Sequence, residues 1–197
     1  MKNLLILPVL LLTLLVGTPA FSADFQKGLT AAQSGDFATA LRKWEPLAKQ
    51  GNADAQYNTG LIFYNGNGLP QNYIIAIKWF SLAAEQGYAD AQNNLGFMYD
   101  IGLGVSQDYK TAMKWFTLAA EQGHAFAQGN LGFMYAFGKG VLKDYVYAHM
   151  WGNIAAMNGS ELGGELRDDF EKQMIPSQLE KAQDLARECV AKNYKGC

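Results

Sequence analysis

The chain has 197 residues, a formal net charge of −2 and 49% hydrophobic residues, a composition that supports a globular fold with a buried core. A mildly acidic chain without runs of Lys and Arg offers no electrostatic surface for nucleic acid or for an anionic membrane. Composition and charge therefore argue against a nucleic-acid-binding protein and against a protein that binds membrane surfaces by charge.

The first 22 residues have the order of a secretory signal peptide: Lys2, an apolar segment from Leu4 to Val16, and then small residues. The apolar segment holds 13 residues, whereas a membrane-spanning helix needs about 20. We predict cleavage after Ser22, or else after Ala23, with an uncleaved anchor as the alternative. The sequence thus predicts a periplasmic or secreted protein without stable membrane insertion after cleavage.

Residues 23–51 form a divergent first unit with a helical pattern. Ala40 aligns with an alanine in each later unit, and Trp44 falls opposite Phe80 of the next unit. This segment resembles a tetratricopeptide-type hairpin, and we expect it to cap the N-terminal end of the structure.

A unit of 36 residues then occurs three times, at 52–87, 88–123 and 124–159. The same 36-residue interval separates Gly51, Gly87, Gly123 and Gly159, and it separates Trp79, Trp115 and Trp151. A fixed period between 20 and 50 residues is the signature of a solenoid. Each unit is predicted to contain two helices, the first at 53–65, 89–101 and 125–137, and the second at about 72–86, 108–122 and 144–158.

Gly60, Gly96 and Gly132 fall inside the predicted first helices. Glycine in a helix interior costs about 1 kcal/mol relative to alanine. A cost that recurs in every unit suggests a close approach of the paired helix, and the expected neighbours are Trp79, Trp115 and Trp151.

Residues 160–197 leave the repeat, and we predict two C-terminal capping helices there, at about 161–174 and from Pro176 onward. The chain has two cysteines, Cys189 and Cys197. In an oxidising compartment the two can form a disulfide if the chain turns back between them, and two free thiols are the alternative.

One pattern recurs across the units: Ala-Gln, Leu-Gly-x-x-Tyr, Gly-x-Gly-Val, Asp-Tyr and Ala-x-x-Trp. In the second of the three 36-residue repeats, at 88–123, the residues that carry it are Ala91, Gln92, Leu95, Gly96, Tyr99, Gly102, Gly104, Val105, Asp108, Tyr109, Ala112 and Trp115. This pattern resembles the Sel1-like repeat family over about residues 53–159. The resemblance implies an all-α, right-handed α-α superhelix. It also implies an adaptor or scaffold that binds another protein or a peptide segment.

A candidate groove follows from the first helices once the consensus positions are set aside. The remaining face has the spacing i, i+3, i+4, i+7 of one side of a helix. Asparagine side chains there could bond a peptide backbone, and the apolar side chains beside them could pack against a partner. The predicted groove residues are Asn58, Leu61, Asn65, Asn94, Phe97, Ile101, Asn130, Phe133 and Phe137. Ile62, Met98 and Met134 share this face, and the two methionines are expected to fill gaps in the core instead.

The sequence contains two histidines, His124 and His149, and His149 occupies a position that is apolar in the other units. No motif for metal binding, phosphate binding or nucleophilic catalysis is recognised. We therefore predict a monomeric protein that is not an enzyme, with no catalytic residues, cofactor or metal. The alternative is an envelope hydrolase of the β-lactamase-like kind linked to cysteine-rich relatives, although this chain lacks their cysteine in each repeat.

Overall fold

The computed structural model describes residues 19–197, so most of the predicted signal peptide lies outside it. The described residues form ten α-helices and no strand. Their bounds are α1 Pro19–Gln33, α2 Phe37–Lys49, α3 Ala53–Asn65, α4 Tyr73–Glu85, α5 Ala89–Ile101, α6 Tyr109–Ala120, α7 Ala125–Phe137, α8 Tyr145–Met157, α9 Glu161–Glu171 and α10 Pro176–Ala191. Helix α1 runs through the predicted cleavage position after Ser22.

The helix boundaries recur because the same end signals recur in each unit. Asn72, Asp108 and Asp144 precede the second helices, and each side chain accepts a hydrogen bond from a backbone N–H of the first turn. Each first helix ends at a glycine in the left-handed conformation, such as Gly102 with φ of 72°. Only glycine takes this conformation without a steric penalty, so the turn after the first helix is tied to that residue.

The helices stack as an α-helical solenoid. Each first helix packs against the second helix of its own unit and against the second helix of the unit before it. The core between units is built from small side chains, such as Ala76, Ala83 and Ala84, around large ones, such as Phe80. Small residues let the helices approach closely, and the ring of Phe80 fills the remaining space.

Gly60 and Gly96 have a different neighbour from the predicted tryptophans, whereas a Cβ added at Gly132 would lie 3.6 Å from the Cβ of Trp151. An added Cβ at Gly60 would lie 2.6 Å from the ring of Phe80, and one at Gly96 would lie 2.6 Å from Phe116. The prediction of Trp79 and Trp115 was therefore wrong by one residue, and those side chains are only partly buried. In the first unit Trp44 takes the same role over Gly28.

In the third repeat, the two helices α7 and α8 approach each other closely without an aromatic ring between them. Its residue 152 is glycine where the earlier units carry Phe80 and Phe116. A Cβ at Gly132 would lie 3.0 Å from the carbonyl oxygen of Ala148 and 3.3 Å from the nitrogen of Gly152. Helices α7 and α8 therefore approach each other through their backbones.

Buried glutamines join consecutive units. Gln92 is 3% exposed, and its Nε2 donates to the carbonyl of Ala84 in the preceding unit at 3.0 Å. Its Oε1 accepts from Nε2 of Gln122 at 2.7 Å. Gln56 and Gln128 make the corresponding bonds in the first and third repeats, with Asn158 taking the place of Gln122 in the third. Each such amide connects three successive helices, and its buried polar atoms are satisfied.

The two C-terminal helices do not form one capping pair. Helix α9 packs on α8, as the next first helix would, and also on α7, whereas α10 packs on α8. Near its start α10 borders a cavity lined by Tyr145 and Ser177, and further along Leu185 lies beside Met150, so α10 runs in the same direction as α8. The outward side of α9 carries Glu165 and offers little apolar area, whereas α6 and α8 offer an apolar strip to α10.

The C-terminal segment turns back and is closed by a disulfide bond between Cys189 and Cys197. The turn places Tyr194 at a positive φ of 65°. The Tyr194 hydroxyl donates to Oδ1 of Asn158 at 3.1 Å, and the backbone N–H of Gly196 donates to Glu121 at 3.1 Å. This C-terminal loop therefore links the ends of the second and third repeats.

Removal of the disulfide should lower the stability of the protein. A loop of this length stabilises a protein by about 2–3 kcal/mol through restriction of the unfolded chain. We expect Cys197→Ser to lower the free energy of unfolding in urea by that amount and to remove any effect of a reducing agent. A wild-type protein whose unfolding midpoint does not change on reduction would contradict this expectation.

Candidate functional site

The first helices of the three repeats leave one row of side chains uncovered, spaced at i, i+4, i+7 and i+11. In α5 this row consists of Asp90, Asn94, Phe97 and Ile101, and the same positions of α3 and α7 lie beside it. We call the three rows together the first-helix surface. All nine predicted groove residues belong to it, and all are half-buried or exposed: Asn58, Leu61, Asn65, Asn94, Phe97, Ile101, Asn130, Phe133 and Phe137. Ile62, Met98 and Met134 are buried in the core.

The asparagines of this surface are partly engaged within the chain. Nδ2 of Asn58 donates to the carbonyl of Asp54 in the same helix at 2.7 Å. Nδ2 of Asn130 donates to Oδ1 of Asn93 at 3.1 Å and so links α7 to α5. Asn94 lies within reach of the Tyr57 hydroxyl on α3. Asn130 therefore links two neighbouring first helices, whereas the bond of Asn58 stays within its own helix.

The C-terminal halves of α5 and α7 carry an exposed apolar cluster. Phe97, Ile101 and Phe137 are 40%, 47% and 61% exposed. The ring centres of Phe133 and Phe137 lie 4.4 Å apart, a distance typical of interacting aromatic pairs. Exposed apolar groups that adjoin one another indicate a contact surface more strongly than isolated ones do.

A lysine lies at the edge of the apolar cluster and is already paired. Nζ of Lys139 is 3.0 Å from Oδ1 of Asp100 and 5.0 Å from the centre of the Phe133 ring. Tyr64 and Leu103 occupy the corresponding positions one repeat earlier, where both belong to an apolar cluster. The ion pair therefore replaces an apolar contact between repeats, and it leaves little positive charge free at the surface.

The N-terminal edge of the first-helix surface is acidic. Asp90 is 56% exposed, and its Oδ1 accepts from Nε2 of His124 at 3.1 Å. The His124 Nδ1 accepts from the backbone N–H of Ala127, which assigns the proton to Nε2. Burial, followed by the Asp54 and Asp90 carboxylates, raises the pKa of the Tyr88 hydroxyl to about 12. Burial is the larger cause of the raised pKa of Tyr88, and the two carboxylates of this edge add to it.

One exposed apolar residue of this surface, and one on the neighbouring helix α9, were not predicted from the sequence. Phe126 stands where the earlier repeats have Asp54 and Asp90, and it is 64% exposed. Leu162 follows 36 residues later on α9 and is 54% exposed. The sequence signal for Phe126 was that phenylalanine replaces aspartate at this repeat position. The replacement places exposed apolar residues at both ends of α7.

A buried histidine lies away from this surface, between α8 and α9. His149 is 2% exposed, and neither ring nitrogen has a hydrogen-bond partner. Burial lowers its pKa, while the Glu171 carboxylate, 3.8 Å from Nε2, acts in the opposite direction. Arg167 and Asp168 are the other charged groups that act on the ring. The packing of His149 in the core agrees with the apolar residues found at this position in the other repeats.

His149 should make the stability of the protein depend on pH. Because the pKa is lower in the folded state than in the unfolded state, the unfolded chain binds the proton more readily, and stability falls as the pH decreases through about 6.5. We expect His149→Met, which restores the residue type of Met113, to raise the free energy of unfolding by about 1–2 kcal/mol at pH 7.5. The gain should be larger at pH 5.5. Urea unfolding at both pH values tests this, and an equal or smaller gain at pH 5.5 would contradict it.

Residues 19–197 contain neither a candidate metal site nor a candidate membrane span. In that part of the chain no group of three or more His, Cys, Asp or Glu side chains is placed to hold a metal ion. None of the described helices has the length and apolar character needed to cross a bilayer.

Comparison with known proteins gives a consistent result. The sequence profile described as Sel1 repeat matches residues 53–88, 89–124 and 125–160. A Sel1 repeat protein from Oxalobacter formigenes has a similar structure, with a TM-score of 0.71 and 29% identity over 84% of this chain and 75% of that one. No curated protein sequence matches the chain.

A second similar structure is that of a protective antigen present in uropathogenic Escherichia coli strains, which displays an SLR fold. The TM-score is 0.61 and the identity 29%, over 88% of this chain. This chain spans 47% of the length of that antigen.

Proposed function

Because the chain belongs to the Sel1 repeat family, whose members are generally protein-interaction modules and typically not enzymes, we propose that it is a non-enzymatic adaptor of the bacterial cell envelope. Its groove is the first-helix surface, and its ligand is a segment of a partner protein. The observation that carries the proposal is the exposed apolar cluster of Phe97, Ile101 and Phe137 beside a row of asparagines.

The cluster supports binding because its large apolar side chains are exposed to solvent and are not used to pack the core of the chain. Aromatic side chains held on rigid helices lose little conformational freedom on binding, so they contribute strongly to affinity. The asparagines next to them each hold both donors and acceptors, which suits the backbone of a bound segment. The envelope location rests on the predicted signal peptide, and mass spectrometry of the secreted protein should find Ala23 or Asp24 at its N-terminus.

Photo-crosslinking in intact cells tests the groove. A photoreactive amino acid at position 137 should capture a partner protein, because Phe137 is 61% exposed within the groove. The matched control is position 74, because Ile74 is 60% exposed but lies on a second helix. We expect crosslinks from position 137 and none to the same partner from position 74.

Alanine substitutions then measure the contribution of the cluster. Truncation of an aromatic residue at the centre of an interface commonly costs 2 kcal/mol or more, which corresponds to a loss of affinity of about 30-fold. We expect that loss for Phe97→Ala combined with Phe137→Ala, measured with the captured partner. Ile74→Ala combined with Leu82→Ala removes similar exposed apolar groups from a second helix and should leave the affinity unchanged. Equal losses in both variants would remove the groove from the proposal.

A further inference from the structure

Charged residues are separated between the two sets of helices. The first helices α1, α3, α5, α7 and α9 carry nine acidic and two basic residues. The second helices α2, α4, α6 and α8 carry six basic and two acidic residues. Because the first helices lie side by side, the solenoid has an acidic side and a basic side, although its net charge is only −2.

In the three repeats that form the groove, the first helices carry no basic residue at all. Helices α3, α5 and α7 contain Asp54, Asp90 and Asp100 and no Lys or Arg. Asp100 is paired with Lys139, whereas Asp54 and Asp90 lie exposed along the N-terminal edge of the groove. His124 contacts one oxygen of Asp90, and the other oxygen remains available.

Acidic groups thus occupy one edge of the surface along α3 and α5, and the apolar cluster occupies the opposite edge along α5 and α7. At the N-terminal end of α7 the exposed residue is Phe126. The apolar cluster lies at the C-terminal ends of α5 and α7, and the two carboxylates lie at the N-terminal ends of α3 and α5. A bound segment that covers the surface must therefore contact apolar groups at one edge and carboxylates at the other. Apolar side chains fit the first edge, and Lys or Arg side chains fit the second.

We propose that the partner segment is a cationic polypeptide stretch in which Lys or Arg residues alternate with aromatic or large aliphatic residues. This inference rests on the proposed function, because it assigns the chemistry of the ligand for the same groove. An acidic segment would be repelled by Asp54 and Asp90, and a neutral apolar segment would leave both carboxylates facing an apolar group.

Selection from a random library of 12-residue peptides tests the proposal with the complete processed chain as the target. We expect the selected peptides to be enriched in Lys or Arg together with Phe, Tyr, Trp or Leu, and to bind more weakly as the salt concentration rises. Synthetic versions of the selected peptides are then measured against charge variants. Asp54→Asn combined with Asp90→Asn should weaken binding by about threefold to tenfold.

A matched variant controls for net charge. Glu85→Gln combined with Glu180→Gln removes two exposed carboxylates outside the first-helix surface and should leave peptide affinity unchanged. The inference would be overturned, and the proposed groove left intact, by either of two results. The peptides lose affinity for the Phe97→Ala, Phe137→Ala variant but carry no positive charge, or their affinity is unchanged by the two aspartate substitutions. If the affinity of the peptides is unchanged by the two phenylalanine substitutions, or if the library yields no binder, both the groove and the cationic ligand are contradicted.

Discussion

Replacing Gln92 by glutamate is expected to destabilise the protein by about 3 kcal/mol or more at pH 7, the range found when a buried charge is left uncompensated. The change keeps the shape of the side chain but turns a donor that faces the Ala84 carbonyl at 3.0 Å into a second acceptor. The new carboxylate would also be almost fully buried, because Gln92 is 3% exposed. Urea unfolding of the variant and of the wild type gives the difference directly.

The effect of Gln92→Glu should depend on pH in a defined direction. Burial next to a carbonyl raises the pKa of a carboxyl group above its unfolded value of about 4.3. The protonated form can donate to Ala84, so the loss of stability should shrink as the pH falls towards 4.3 and should grow as the pH rises. Gln107→Glu is the control, because Gln107 is exposed and its Nε2 donates to the carbonyl of Asp100. We expect it to cost about 1 kcal/mol or less, and equal effects at the two positions would contradict the role of burial.

Adding one methyl group at Gly96 should also destabilise the protein, by about 1–3 kcal/mol. Alanine is the better helix former by about 1 kcal/mol, but its Cβ would lie 2.6 Å from two ring atoms of Phe116, which is 2% exposed and has little freedom to move. The steric effect therefore outweighs the gain in helix propensity. Thermal or urea unfolding of Gly96→Ala measures the balance.

Gly129→Ala is the matched control for this prediction. Gly129 is also a buried glycine inside a first helix, but its added Cβ would meet its nearest neighbours at 3.9 Å, an ordinary contact. We expect this substitution to stabilise the protein by up to about 1 kcal/mol. If both alanine variants shifted the unfolding midpoint in the same direction, contact with Phe116 would not be the reason for glycine at position 96.

The helices of the repeats could be predicted from the sequence almost to the residue. The first helices occupy 53–65, 89–101 and 125–137 as predicted, because the same residue pattern recurs in each repeat and a left-handed glycine follows each of these helices. The position of α10 could not be predicted in the same way. Its apolar spacing shows which face is buried but not which neighbour covers it, and the choice of α8 depends on the charge of α9 and on the turn that Tyr194 and the disulfide complete.

The candidate groove was predictable in outline and less so in detail. The spacing i, i+3 and i+7 on repeated helices predicts that the nine residues share one face, and in the structure they lie together in the first-helix surface. Their contact with a partner stays a prediction. The bond from Asn130 to Asn93 was not predictable, because residue 93 varies among repeats and aligns with Tyr57 and Gly129. Phe126 was missed because its repeat position was treated as polar from the aspartates of the other units.

The C-terminal loop has a consequence for the order in which the solenoid opens. A stack of repeats is held together by contacts between neighbours, so its ends normally fray first. Here the loop bonds Asn158 and Glu121, which belong to successive repeats, and so it makes the opening of that end more cooperative. Within the described residues 19–197, α1 packs mainly against α2 and no loop closes it in the same way. Amide hydrogen exchange should therefore be fastest in α1 and slowest around α6 to α8, a gradient that directs unfolding from the N-terminal end.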